Sequence, residues 1–556
     1  MTMVSQAERA HTSDKSLSIC LINPRSNPSY WTFDYGQQFF NLGRKKQYST
    51  ANGALVGVAA LVPEEHKVVI VDENIESLHF EWLKEFDVIG VTGMIVQAQR
   101  MLEILKELQS LPATIVVGGP FVTVSEDTFT ELSDVRFIGE AEETWPLFLR
   151  TLASGEPTNS RYEQAEKTDM STVPLPRFDL LKPGRYVSAP VQFSRGCPFL
   201  CEFCDIITIF GRRPRVKRID QVLCELDLLV GCGFRECFLV DDNFIGNKLE
   251  AKRLLRSLIA WQESHGHPLT FSCEASINLA DDAELIDLMV RAKFRSVFIG
   301  IESPRKESLK ETRKNQNVHG DSMLTKTNRV RKGGLFVVGG FIVGFDSDDE
   351  GIFDEQFDFI QESGVANVSV SILTPLPTTP LYNRLREEGR LDLSDTEVAF
   401  FPKNLTKEQL KSGFRELLNR LFDPHAYFAR AFDGVSASPA PPESTSGREH
   451  LNWLKQLRLT VAVLARAGKL SYVIARAEEI SLHLKVLSYV RERNSALGKD
   501  ALDFESLVNL WVVYWHFRSV TRLINGTQFG IVPASGSSTN FEPQRSKSLH
   551  AIDRVT

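Results

Sequence analysis

From Leu17 onward, short apolar runs alternate with longer stretches whose apolar positions recur every three or four residues. LSICLINP (17–24), HKVVIVDEN (66–74), DVIGVTG (87–93), TIVVGG (114–119) and RFIGEAEE (136–143) are apolar inside and turn to polar residues or glycine at their ends. That is the pattern of strands buried on both faces. AQRMLEILKELQS (98–110) and TWPLFLRTL (144–152) carry helical spacing between or after them. The alternation predicts a doubly wound, Rossmann-like sheet over residues 16–155, with its ligand beyond the carboxyl ends of the strands. No G-x-G-x-x-G follows the first strand, which disfavours a dinucleotide.

The alternation resumes downstream. PVQFS (190–194), ECFLVDDNF (236–244), LTFSCEAS (269–276), SVFIGIES (296–303), LFVVGGFIVGFD (335–346) and VSVSILTPLP (368–377) read as strands. RIDQVLCELDLLVGCG (218–233), LEAKRLLRSLIAWQE (249–263), DAELIDLMVRAKF (282–294) and EQFDFIQESG (355–364) read as helices between them. Six such strands predict a parallel sheet with right-handed crossovers, a partial (β/α)6 barrel over 183–390. Polar residues at the strands' carboxyl ends then mark the active face. Residues 156–182 read as a linker, 391–432 as a helical extension, 433–449 (Pro- and Ser-rich) as a second linker, and 450–525 as a C-terminal helical domain. The ends, 1–15 and 526–556, read as disordered tails. Trp511, Tyr514, Trp515 and Phe517, flanked by Arg518 and Arg522, read as helix-on-helix packing, with a membrane surface as the other reading.

Composition changes this picture little. A net charge of -7 over 556 residues argues against a protein that coats nucleic acid. The polar N-terminus MTMVSQAERAHTSDKS has no apolar core, and no run reaches membrane-spanning length without charges. The expectation is a cytoplasmic protein without a transmembrane segment, with peripheral membrane attachment left open. Eight cysteines in so long a chain are too few for a disulfide scaffold.

Three of the eight fall within SRGCPFLCEFCDI (194–206), as Cys197, Cys201 and Cys204 at C-x3-C-x2-C spacing. Structural zinc wants four ligands. The next cysteine, Cys224, sits in a helical pattern as an expected core residue, and Cys232, Cys237 and Cys273 lie in apolar or strand-like surroundings. Three thiolates suit an iron–sulfur cluster with one iron open, and structural zinc is the lesser reading.

With Phe203 just before its last cysteine, the loop resembles the motif of the radical S-adenosylmethionine (SAM) superfamily. The resemblance implies that Cys197, Cys201 and Cys204 hold a 4Fe–4S cluster, that SAM chelates the fourth iron, and that Phe203 lies beside the adenine. It also implies SAM contacts from Glu302 and Ser303 in GIES and from Gly340 in the G-x-I-x-G pattern with Ile342 and Gly344. Asp242, Asn243 and Glu274 at strand ends join them as candidates. Helix capping by Asp242 and Asn243, or close packing at the glycines, are the plainer alternatives.

A doubly wound domain ahead of such a core resembles the cobalamin-binding branch of that superfamily, through VTGMIVQAQRMLEI, VVGGPFVTVSEDTF and FIGEAEETWP. That likeness implies cobalamin-facing loops at Thr92, Gly93 and Gln97, at Gly118, Gly119 and Pro120, and at Gly139 and Glu140. No D-x-H-x-x-G motif is present, so no histidine is assigned below cobalt; YSTANGALVGVAAL also lacks the prolines usual before its helix. CEFCDI, FGRRPRVKRIDQVLCELD, FLVDDNFIGNK, ESLKETRKNQN and TPLPTTPLY resemble the subgroup that includes bacterial hopanoid C-2 methylases.

The activity so implied is methylation of an unactivated carbon of a small molecule, with a lipid as the weaker inference. It would run through a 5′-deoxyadenosyl radical and methylcobalamin, with electrons from a flavodoxin or ferredoxin. An oxidative cyclisation or ring rearrangement without methyl transfer is the alternative, and a non-catalytic iron–sulfur sensor a more distant one. A tRNA methylthiotransferase would need a second cluster, and only Cys20 precedes Cys197.

Overall fold

Along Ser18–Asn23 (β1) successive side chains enter two different cores. Ile19 and Leu21 join Leu55, Val116, Phe137, Trp145 and Phe148 on one face. Cys20 and Ile22 join Val71, Ile89, Met101, Ile104 and Leu105 on the other. This two-faced burial is why the strand reads as continuously apolar. The computed structural model describes residues 15–27, 29, 48–436 and 504–526, with Ser488, Glu492 and Ser495. The expected tails and 433–449 linker fall almost wholly outside the described residues, as does most of 450–503.

The described residues form two compact units. In the first, built mainly from Ala51–Pro183 with β1, the strands are β2 (Lys67–Asp72), β3 (Val88–Thr92), β4 (Thr114–Gly118), β5 (Val135–Ile138) and β6 (Arg161–Glu163). They pair in the order β2-β1-β3-β4-β5-β6, all parallel. Helices α1 (Gly53–Ala60), α2 (Ala98–Leu108), α3 (Pro120–Val124) and α4 (Thr144–Ala153) connect the strands. α1 and α4 cover one face and α2 the other, as a doubly wound sheet requires. Truncating the fully buried Phe148 to alanine would cost about 3–5 kcal/mol. The chain leaves β1 in one direction to β2 and in the other to β3, so the ligand crevice opens between β1 and β3. The stretch 156–182 is more than a linker: β6 within it is the sheet's sixth strand, too short for its pattern to show.

The second unit contains Gly184–Ile219 and Phe234 onward, with the short strand Tyr48–Thr50. Its strands are β7 (Tyr186–Val191), β8 (Glu236–Leu239), β9 (Thr270–Glu274), β10 (Phe294–Glu302), β11 (Phe336–Val343) and β12 (Asn367–Ile372). They lie side by side in sequence order, all parallel, with Tyr48–Thr50 beyond β7. The fold is α/β with a partial barrel, as expected. β7 ends earlier than PVQFS suggests, because the Ser194 amide donates to the Asp241 carboxylate and leaves the ladder. Ser194–Arg195 then pairs antiparallel with Arg215–Val216 and closes the cysteine loop.

Helices α5 (Ile219–Gly231), α6 (Lys248–Ser264), α7 (Ala283–Arg291), α8 (Met323–Lys332) and α9 (Ile352–Ser363) alternate with these strands along the chain. The residues Asp220–Gly233 of α5 and its end cluster with the first unit. Cys224 corrects the reading of it as a core residue: it is exposed, because α5 buries Val222, Leu226 and Leu229 on the opposite side. After the barrel come α10 (Pro380–Glu387), α11 (Lys407–Leu421), α12 (Pro424–Ser436) and α13 (Phe504–Ile524). The helical extension starts later than residue 391, at a capping box formed by Thr406 and Gln409. Tyr514 and Phe517 of α13 are buried against Tyr427, Phe428 and Phe422, with ring centroids 5.2–5.3 Å apart. The side chains of Trp511 and Trp515 lie outside the described residues. No described helix is long and apolar enough to cross a membrane.

Candidate functional site

In the second unit, polar groups converge at the carboxyl ends of the strands. The cysteine loop is shaped by Gly196, whose φ of 96° no β-carbon would suit, since it would lie 2.9 Å from the Arg213 carbonyl. The Gly196 amide donates to Asp242 Oδ2 at 2.7 Å. Cys197, Cys201 and Cys204 carry free thiols. Burial, and then the neighbouring sulfurs, push the Cys204 thiol up to about 12 and raise Cys197 as well. Metal binding must therefore displace protons held tightly by the apo loop.

Two amides aim N–H groups at the sulfurs. Asn243 Nδ2 lies 3.9 Å from Cys197 Sγ, and Gln316 Nε2 lies 3.5 Å from Cys201 Sγ. Gln316 Oε1 is buried without a protein partner. Among the described residues no three His, Cys, Asp or Glu side chains converge tightly enough to hold a single metal ion. Three free thiols in one loop, two of them with an amide N–H directed at sulfur, suit an iron–sulfur cluster with one iron open better than a zinc site, which wants four ligands.

Asp242 and Asn243 brace this loop rather than cap a helix; Asn247 caps α6 instead. Asn243 is fixed by Ser276, whose amide donates to Oδ1 at 3.2 Å and whose hydroxyl lies 3.1 Å from Nδ2. Glu274, at the end of β9, is pushed up to about 7 by burial and by the nearby Asp242 and Asp241 carboxylates. Glu302 ends β10 in a left-handed conformation, φ 66°, a strain of about 1–3 kcal/mol for such a residue. Its carbonyl accepts from Gln356 at 2.9 Å and its carboxylate from Lys314 Nζ at 2.5 Å.

Lys314 is buried against its charge, yet Glu302 and the Cys201 and Cys204 sulfurs raise its pKa. Its ammonium lies 5.7 Å from the centroid of Phe203, whose ring is 6.1 Å from that of Phe345. Ser303 is fully buried, with its hydroxyl accepting from the Arg305 amide. Gly340 has a packing reason: a β-carbon there would lie 2.6 Å from the Phe298 ring. Lys314, Gln316 and Ser276 escaped the sequence reading, though ETRKNQN held the first two.

In the first unit the crevice between β1 and β3 is edged by a loop with three consecutive exposed apolar side chains, Met94, Ile95 and Val96. Such a run is uncommon on a free surface and fits a ligand with a broad apolar face. Gln97 holds the loop in place from within: its Nε2 donates to Asn23 Oδ1 at 3.1 Å and to the Pro24 carbonyl, and its Oε1 accepts from the Met94 amide at 3.0 Å. Gly93 packs under Met101.

Gly119, φ 101°, allows the close approach of Thr92, whose Oγ1 lies 2.3 Å from where a β-carbon would sit. Gly118 is less crowded, with Phe137 3.3 Å from where its β-carbon would sit, and Pro120 opens α3. Gly139, φ 72°, faces open space: nothing lies within 4 Å of its added β-carbon. Glu140 turns inward to accept from the Thr168 amide at 3.2 Å. His66 precedes β2 and so lies at the amino edge of the sheet, away from these loops.

Residues 46–149 match the B12 binding domain, residues 191–360 the radical SAM superfamily, and residues 379–528 a domain of unknown function, DUF4070. An uncharacterised methyltransferase of Synechocystis sp. is 38% identical over 81% of this chain and 84% of its own length. The hopanoid C-2 methylase of Rhodopseudomonas palustris is 32% identical over 76% of this chain and 80% of its own. Among solved structures, the cobalamin-dependent SAM radical enzyme OxsB, with aqua-cobalamin and SAM bound, superposes with a TM-score of 0.56. That likeness covers 92% of this chain and 80% of that one at 16% identity.

Proposed function

The chain belongs to the B12-binding radical SAM family that includes hopanoid C-2 methylase, and on that premise we propose that it methylates an unactivated carbon of a hydrophobic small molecule. It is an enzyme of the methyltransferase class and uses a 4Fe–4S cluster, SAM and cobalamin. The observation that carries the reading is the loop of three free thiols with amide N–H groups directed at two of the sulfurs.

When bound, these groups supply a carbon-centred radical and a transferable methyl group. Cys197, Cys201 and Cys204 would hold the cluster. The Asn243 and Gln316 N–H groups donate to sulfur, which favours added negative charge there. Lys314 adds a fixed cation near Cys201 and Cys204, with Glu302 holding it in place. Phe203, Glu274, Glu302, Ser303 and the backbone at Gly340 would line the SAM subsite, with Asp242 and Asn243 shaping its wall. Met94, Ile95 and Val96, with Thr92, Gly93, Gly118, Gly119 and Gly139, would face the corrin, while Gln97 and Glu140 position its loops.

No histidine lies in those loops, so the chain offers cobalt no imidazole from them. A flavodoxin or ferredoxin would deliver single electrons. The likeness to a hopanoid methylase supports a polycyclic lipid as substrate. The test is methyl transfer: the purified, reduced enzyme is given methyl-labelled SAM and extracted lipids. Label in a lipid product supports the reading. Deoxyadenosine formed without labelled product would favour a ring-forming reaction instead.

A further inference from the structure

Glu202 lies between two of the three cysteines, yet it is buried and its carboxylate faces away from solvent. Two separate elements grip it, the turn at Thr312 and α10. Its amide donates to the Thr312 carbonyl at 2.9 Å, and its carbonyl accepts from the Leu381 amide at 3.0 Å. Its carboxylate receives Arg384 Nε at 2.6 Å and Nη2 at 3.2 Å, a two-point guanidinium contact. Leu381 and Arg384 are three residues apart on α10, so one helix face supplies both an otherwise unpaired N-terminal N–H and the guanidinium.

Arg384 is itself held. Its Nη1 donates to Asp346 Oδ2 at 2.8 Å and to Glu388 at 3.3 Å. Asp346, which follows β11, also binds Arg390 at 2.6 Å and Lys403 at 2.9 Å. These cations hold its carboxyl well below the usual carboxylate range despite its burial. The network thus runs from the cysteine loop through Arg384 to the end of β11 and on to Lys403. Arg384, Arg390 and Lys403 all fall within the segment matched by the domain of unknown function.

We propose that Arg384 is a positioning residue for the cluster: through Glu202 it fixes the cysteine loop and balances the carboxylate buried beside the cluster. The first helix of the segment of unknown function is thereby part of the radical SAM site. This rests on the cluster assignment proposed above. A loop held by the barrel alone would keep the Thr312 contact but lose both contacts from α10. Removing Arg384 leaves the Glu202 charge uncompensated, and a lone anion near the cluster disfavours added electron density.

The full-length chain, reconstituted with iron and sulfide, is compared with Arg384→Lys, Arg384→Met, Glu202→Gln and the double variant Glu202→Gln/Arg384→Met. Three readouts are used: the cluster's midpoint potential by electron paramagnetic resonance, the rate of iron loss to a chelator, and hydrogen exchange of residues 196–206 in the metal-free chain. Arg384→Met is expected to shift the potential negative, to release iron at least threefold faster and to raise exchange in the loop. Arg384→Lys recovers part of each. The double variant returns the potential toward the wild-type value while its loop still exchanges fast.

Wild-type potential, iron release and exchange in Arg384→Met would overturn the proposal. Should Arg384→Met fail to fold, the same three readouts unchanged in Arg384→Lys and Glu202→Gln would overturn it equally. A wild-type chain that binds no cluster would defeat the cluster assignment instead, and the exchange measurement would still judge the clamp.

Discussion

Cys197→Ala, Cys201→Ala or Cys204→Ala should each abolish the cluster's visible absorption and all SAM cleavage, since alanine offers no ligand. Cys224→Ala should leave iron content at the wild-type level, because that thiol stands exposed on α5. The C-x3-C-x2-C trio is legible in the sequence because ligand spacing is local and needs no knowledge of the fold. Its surroundings are not: Glu202 and Arg384 are 182 residues apart, and nothing in either neighbourhood marks the pair.

Glu274 gives a pH-dependent test at the same scale. Its carboxyl is raised to about 7 from an ordinary value of 4.5, so the folded chain holds a proton there that the unfolded chain releases. The stability this confers is complete below about 4.5 and is lost as pH rises through about 7. Glu274→Gln should therefore stabilise the metal-free protein at pH 8 by on the order of 1–3 kcal/mol, read as a higher thermal midpoint, and change little at pH 5. An equal effect at both pH values would remove the buried, carboxylate-flanked environment as its cause.

At the scale of elements, the strands buried on both faces were legible because their apolar runs are long enough to show. β6 and Tyr48–Thr50, three residues each, carry no period to detect. The glycines at strand ends were legible as a set, but the sequence could not tell which serve the fold and which leave room for a ligand. Gly118 and Gly119 are occupied from within, by Phe137 and Thr92, so bulky substitutions there would disturb the sheet edge itself.

Gly139 is the cleaner probe of corrinoid binding. Its β-carbon position is open, and asparagine tolerates its positive φ better than other residues. Gly139→Asn should keep the fold and lower corrinoid content at least severalfold in protein loaded during expression. Replacing Met94, Ile95 and Val96 together with serine should do the same, by removing the apolar edge of the crevice. His66→Ala should retain the corrinoid, since His66 lies at the opposite edge of the sheet. Full loading of both loop variants would place the corrin elsewhere.

For the whole molecule, the order of domains carried more functional information than any single site. A doubly wound sheet followed by a partial barrel with a three-cysteine loop is a combination of parts, and each part was visible through periodicity and spacing alone. The substrate is a different matter: it is recognised by side chains scattered over many elements, and no local pattern encodes them. The decisive measurement at this scale is therefore on the product. With two differently labelled SAM samples supplied to the reduced, corrinoid-loaded enzyme and a hydrophobic extract, a methylase must place label from the SAM methyl group in the product and release 5′-deoxyadenosine from the adenosyl group. Gly139→Asn, which keeps the cysteine loop intact, should lose methyl transfer while retaining SAM cleavage, because only the B12-binding unit is changed. Loss of both activities would mean that the two units depend on each other for folding. Retention of both in variant protein that has lost its corrinoid would show that methyl transfer proceeds without it.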